Sequence, residues 1–121
     1  MKKVNFILVA FILLVSLSLN AQNRHTDFFV GKWDVIAVGT PGGDSKLIVS
    51  LARKDGKLEG VIIRSGQDPT EISKVEETKD AVKVYFRHNI IKVNLSLVKK
   101  DENHSTGSLM GKYPAKGTRI N

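Results

Sequence analysis

The chain reads as all-β: an eight-stranded antiparallel up-and-down meander closed into a small barrel. Three observations predict this. Apolar and polar residues alternate with a period of two through most of residues 29–120, the signature of half-buried strands. Turn-forming groups such as Pro41-Gly42-Gly43-Asp44, Asp55-Gly56 and Gly66-Gln67-Asp68-Pro69 break the alternation at short intervals. Beyond the N-terminal apolar run, no segment carries apolar residues at helical spacing. An open meander leaves two unpaired edges that invite aggregation, and closure removes them. A two-sheet sandwich is the alternative packing.

Residues 1–21 stand apart. Met1-Lys2-Lys3 is a charged start, Val4 to Leu19 is an apolar run broken only by Asn5, Ser16 and Ser18, and Ala21 is a small residue before Gln22. This is the pattern of a signal peptide, too short and wrongly flanked for a spanning anchor. The expectation is an exported protein, periplasmic or extracellular, whose residues 22–121 form one domain with no membrane span. With no cysteine there is neither a disulfide framework nor a lipid-modified cysteine. Removing Lys2 and Lys3 takes the formal net charge from +7 to +5. That favours solubility and weak attraction to anionic surfaces. The charge is scattered, without an arginine cluster interleaved with aromatics, so a nucleic-acid partner is not expected.

After a polar lead-in, the first strand is expected over 29–38, with Gly31, Trp33, Val35 and Ala37 on one face. Residues 40–44 form a loop by composition. The second strand, 45–54, turns Leu47, Val49 and Leu51 inward, and Asp55-Gly56 is a strong hairpin signal. The third, 57–65, turns Leu58, Gly60 and Ile62 inward. The fourth, 70–77, breaks the rhythm, because Ile72 and Val75 are three apart; a bulge or an irregular segment is expected there. The fifth alternates cleanly through Val82, Val84 and Phe86. After a tight turn at His88-Asn89, the sixth turns Ile91, Val93, Leu95 and Leu97 inward. The seventh spans 104–111 and the eighth about 113–120, with Pro114 near its start, where a missing donor costs least. Gly60 and Gly107 sit at matching places after their turns, and glycine within a strand marks a bend or a close backbone approach.

Gly31-Lys32-Trp33 resembles the calycin superfamily, in which a Gly-x-Trp near the first strand lays an indole across one barrel end. The resemblance implies a basic residue of the final strand packed on that indole, and Arg119 in Gly117-Thr118-Arg119 matches that position. Thr40-Pro41-Gly42-Gly43-Asp44 and Asp55-Gly56-Lys57-Leu58-Glu59-Gly60 add to a likeness to small exported lipocalin-like domains of Bacteroidetes. Taken together, the resemblance implies a lipocalin-like barrel with Trp33 and Arg119 as its structural closing contact.

Chemistry-bearing patterns are few. His25, His88 and His104 lack metal-ligand spacing, so no metal and no cofactor is expected. Asp34 and Glu59 fall on outward positions, and no nucleophile elbow or zinc-protease helix is present. The 39–46 segment lacks the Gly-Lys-Ser/Thr order of a phosphate loop. The expectation is therefore a protein that is not an enzyme. Its default ligand is a small apolar molecule lined by Val35, Leu47, Val49, Ile62, Val84, Phe86, Val93 and Leu95. The alternative is a protein-interaction module, self-associating or capping a partner, in which the same residues pack as solid core. Ile36, Val38, Ile48, Val61 and Ile63, outward on adjacent strands, form the candidate interface, homo-oligomeric or otherwise.

Overall fold

The alternation becomes a single antiparallel sheet in the computed structural model, which describes residues 27–120. The expected signal peptide, residues 1–21, lies outside the described residues, as does His25. The strands are β1 (Gly31–Thr40), β2 (Gly43–Lys54), β3 (Lys57–Ile63), β4 (Thr70–Glu71), β5 (Lys74–Glu77), β6 (Ala81–His88), β7 (Ile91–Asp101), β8 (His104–Leu109) and β9 (Tyr113–Ile120). There are nine strands instead of the expected eight, and no helix among the described residues. The extra strand arises where the rhythm failed. Residues 70–77 do not form one strand but two short ones, with Ile72 and Ser73 between them.

The spatial order is β4-β3-β2-β1-β9-β8-β7-β6-β5. The first and last strands of the chain, β1 and β9, pair in the middle of this order, with Trp33 opposite Arg119 and Val35 opposite Gly117, and β4 and β5 are its edges. The ladder is interrupted in mid-chain, between β4 and β5. There the chain changes neighbours: Ile72 N–H donates to Gly60 O (3.0 Å) on β3, and Ser73 N–H donates to Tyr85 O (2.8 Å) on β6. The segment therefore crosses from one edge of the sheet to the other, and β3 and β5 diverge below the crossing.

The inner face is hydrocarbon, with Trp33, Val35, Ala37, Leu47, Val49, Leu51, Leu58, Ile62, Val82, Val84, Phe86, Leu95 and Leu97 all buried. Ile91 was expected inward and is exposed, because β7 starts at the turn, beyond the end of the core. Two glycines let the sheet coil this tightly. A Cβ on Gly60 would stand 1.9 Å from Ser50 O, and one on Gly107 would stand 1.7 Å from Ser96 O. Each glycine lies opposite a leucine, Leu51 and Leu97, so the two bends repeat one geometry. The turn after β1 is tighter than the expected 40–44 loop. Gly39 N–H donates to Asp44 Oδ1 (3.2 Å), and Thr40 Oγ1 donates to Gly43 O.

Candidate functional site

One end of the curled sheet is sealed by the lead-in to β1. Phe28 and Phe29 fold over Trp33, with ring centres 5.3 and 5.6 Å from the indole. Trp33 Nε1–H donates to Phe29 O (3.1 Å), so the fully buried indole keeps a partner for its one donor. The Arg119 guanidinium lies 4.5 Å from the Trp33 ring centre and 5.0 Å from that of Phe28. It also donates to Val30 O (3.1 Å) and Phe28 O (2.6 Å), and at 3.4 Å to Glu102 O. Arg119 thus ties the lead-in, the β7–β8 turn and the final strand together. Lys99 Nζ approaches Phe28 as well (4.9 Å). This end is a plug.

The seam between β3 and β5 is a different kind of place. It holds a cleft of about 900 Å³ that runs from Ala52, Glu59 and Glu71 at the surface to Leu58, Ile72 and Val75 below. Two arginines span the seam region. Arg53 on β2 makes a two-pronged contact with Glu77 on β5, at 2.8 and 3.2 Å, and reaches Asp27 Oδ1 at 3.1 Å. The Glu77 carboxylate, hydrogen-bonded to it, holds the Arg53 guanidinium above its ordinary pKa. Nearer the other end, Arg64 Nη1 lies 2.7 Å from His88 Nδ1, and its guanidinium stands 5.8 Å from the Phe86 ring centre. Sequence reasoning missed both. Arg53 could have been found, because it continues the inward series Leu47, Val49 and Leu51 as its one charged member; its partner 24 residues away could not.

Backbone direction gives the cleft its chemistry. Gly60 O accepts from Ile72, so the alternation of an antiparallel ladder also turns the N–H and C=O of Leu58 away from β2, toward the cleft. Thr78 N–H donates to Ala81 O across the β5–β6 turn, which by the same alternation turns the backbone groups of Val75 and Glu77 toward the cleft from the other side. Two strand edges therefore face one another across it.

The eight residues expected to line a ligand space are brought together on the inner face. Val35, Leu47, Val49, Ile62, Val84, Phe86 and Leu95 are buried and Val93 is half-buried, all packed in one cluster. None of them borders the seam cleft. Of the outward set, Ile48 stands directly opposite Ile63, while Ile36 faces Lys46 and Val61 faces Ser50. Ile36, Ile48, Val61 and Ile63 are half-buried and Val38 is exposed.

Polar chemistry among the described residues is sparse. No group of three or more His, Asp or Glu is placed to hold a metal ion. His104 Nδ1 lies 2.7 Å from Asp101 Oδ1, both exposed, and this hydrogen bond with that from Asn103 N–H holds the Asp101 carboxyl below its ordinary range. Ser105 follows in sequence but faces the core, where its Oγ is buried without a hydrogen-bond partner. The His–Asp pair and the hydroxyl thus occupy opposite faces of β8, and no relay joins them. Tyr85 O–H donates to Glu76 Oε1, which lowers the Glu76 pKa.

No protein-family model matches the chain, and no curated protein does. Among solved structures, the fold is similar to the crystal structure of pallilysin from Treponema pallidum, with 14% identity and a TM-score of 0.50, covering 90% of this chain and 97% of that one. It is also similar to a redesigned β barrel, with 17% identity and a TM-score of 0.54, covering 81% of this chain and 96% of the design. At these identities the likeness is one of fold alone, a curled antiparallel sheet.

Proposed function

We propose that the chain is an exported, non-enzymatic binding protein with a calycin-like barrel, and that its site is the seam cleft, where an extended segment of another polypeptide adds as a strand. The observation that carries this reading is the pair of facing strand edges, with Leu58 on one side and Val75 and Glu77 on the other. Main-chain donors and acceptors of this kind give affinity in strand addition, and alternate side chains of the guest give specificity. Leu58, Ile72 and Val75 provide apolar contact below, and Lys57, Lys74, Glu59 and Glu71 provide a mixed-charge rim. The Trp33–Arg119 stack supports the calycin-like closure.

A small apolar ligand within the sheet is the second reading, supported by an inner face that is hydrocarbon apart from the Ser105 hydroxyl and the Trp33 N–H. Ile48 opposite Ile63 is what favours a homo-oligomer through the outer face.

Amide and methyl NMR separates the first two readings. A library of extended ten-residue peptides is expected to move the amides of Leu58, Val75 and Glu77. A fluorescent fatty-acid analogue that moves the methyls of Val35, Leu47, Val84 and Leu95, with those amides unmoved by any peptide, would replace the cleft with the interior.

A further inference from the structure

The β6–β7 hairpin ends in a feature that neither the core nor the cleft uses. Its ladder runs out to His88 opposite Ile91. The neighbouring strands stop short, since β8 ends at Leu109 opposite Leu95 and β5 begins at Lys74 opposite Tyr85. The pairing within the hairpin therefore runs roughly three residues, about 10 Å, past its pairing with either neighbour, with Phe86 in that stretch still buried in the core. Arg64 packs along its β6 side, over Phe86 and up to His88 beside the turn.

The tip breaks the rules for a two-residue turn. Asn89, at φ 58°, suits the first position. The second position is Ile90, a β-branched residue where small or polar ones are usual, and it is 93% exposed. Ile91 beside it is 56% exposed, and Met110 on the adjacent β8–β9 turn is 42% exposed and lies against Asn94. Below this apolar point, Arg87 stands directly opposite Lys92, a like-charge pair that weakens a sheet. Lys112 adds a third cation on the neighbouring turn, while Lys83 lies further down the hairpin and Lys99 and Lys100 at its opposite end. Local rules broken together without a structural gain mark a functional feature. An apolar point ringed by cations complements one kind of surface: hydrocarbon beneath a layer of anionic headgroups.

We propose that the β6–β7 tip is a membrane-interface anchor, in which Ile90 and Ile91 enter the acyl-chain boundary while Arg87, Lys92 and Lys112 meet the phosphates of an anionic lipid surface. The chain then lies on the bilayer by this end. The plugged end, with Trp33 and Val98, points away from it, and the seam cleft stays accessible from the side.

The test places an indole at the tip. Trp33 is fully buried and supplies a constant background. In the full chain carrying Ile90→Trp, vesicles of phosphatidylglycerol mixed with phosphatidylcholine are expected to shift the added emission to the blue, and brominated lipid to quench it at least about twofold. Val98→Trp, at the opposite end, reports whether some other segment holds the chain on the vesicle, and its emission should stay unquenched. Replacing both apolar tip residues, as Ile90→Ser with Ile91→Thr, should weaken vesicle partitioning at least about tenfold, as expected for losing two inserted side chains. Melting should be unchanged, because both residues are exposed. Raising salt should weaken binding as the phosphate contacts are screened. Unquenched emission at position 90, equal quenching at 98, or undiminished partitioning of the double variant would overturn the anchor and leave the tip to a protein partner.

Discussion

Arg119 stands directly across the β1–β9 ladder from Trp33, and its guanidinium covers the indole at 4.5 Å while donating to carbonyls of the lead-in. One side chain thus joins the first strand, the last strand and the segment before the first. Arg119→Ala should lower stability by about 2–4 kcal/mol, since stacking and charged hydrogen bonds are lost together. Trp33 emission should move to the red as water reaches the ring. Arg119→Lys should recover only part of the loss, because an ammonium cannot stack and fork at once. Thermal melts with fluorescence read both; unchanged melting and emission in the alanine variant would mean that the contact does not hold the two strands together.

Across the seam, Glu77→Gln should cost about 1–2 kcal/mol, because it weakens a charged, two-pronged contact to a largely buried guanidinium. Hydrogen exchange should then rise in β5 before it rises in β1 or β9. Uniform loss of protection would mean that the seam is not a separate weak point.

The two coiling glycines should be irreplaceable. Gly60→Ala and Gly107→Ala each drive a methyl into a backbone carbonyl, and should cost about 3 kcal/mol or more. Gly42→Ala meets nothing within 4 Å and should be near neutral. Urea midpoints of the three variants are the comparison.

Ser105→Ala should stabilise the protein by about 0.5–1 kcal/mol. The Oγ is buried against the Gly117 backbone without a partner, so its desolvation is uncompensated. A lower melting temperature in the alanine variant would show that the hydroxyl has a partner.

Asp101 sets a pH dependence. Its folded pKa is depressed, first by His104 and then by the backbone of Asn103. Its contribution is therefore present above the unfolded carboxylate value, about 3.9, and is lost as pH falls through the lower folded value. Asp101→Asn should lower the urea midpoint at pH 6 and leave it unchanged near pH 2. An equal deficit at both pH values would place the effect elsewhere.

Much of the sheet was legible because its signals are local. The alternation of Val82, Val84 and Phe86 and of Leu95 and Leu97 states which face is buried, and the stall between Ile72 and Val75 marks where pairing fails. The glycines at 60 and 107 announced close approach without naming the carbonyls they face. What could not be read is which edge the broken strand joins, since Gly60 and Tyr85 are its partners only in space. Ile91 misled for the opposite reason: alternation tells the side of a strand but not where the core beneath it stops.

Pairing of β1 with β9 also sets a timetable for folding. A nascent chain that has not yet delivered residues 113–120 has β1 and β8 as two exposed edges and an indole without its cover. That pairing waits for residues 113–120, and contacts between such distant parts of a chain form slowly. Until then two strand edges stay open to other chains, and β9 acts as the latch that covers both.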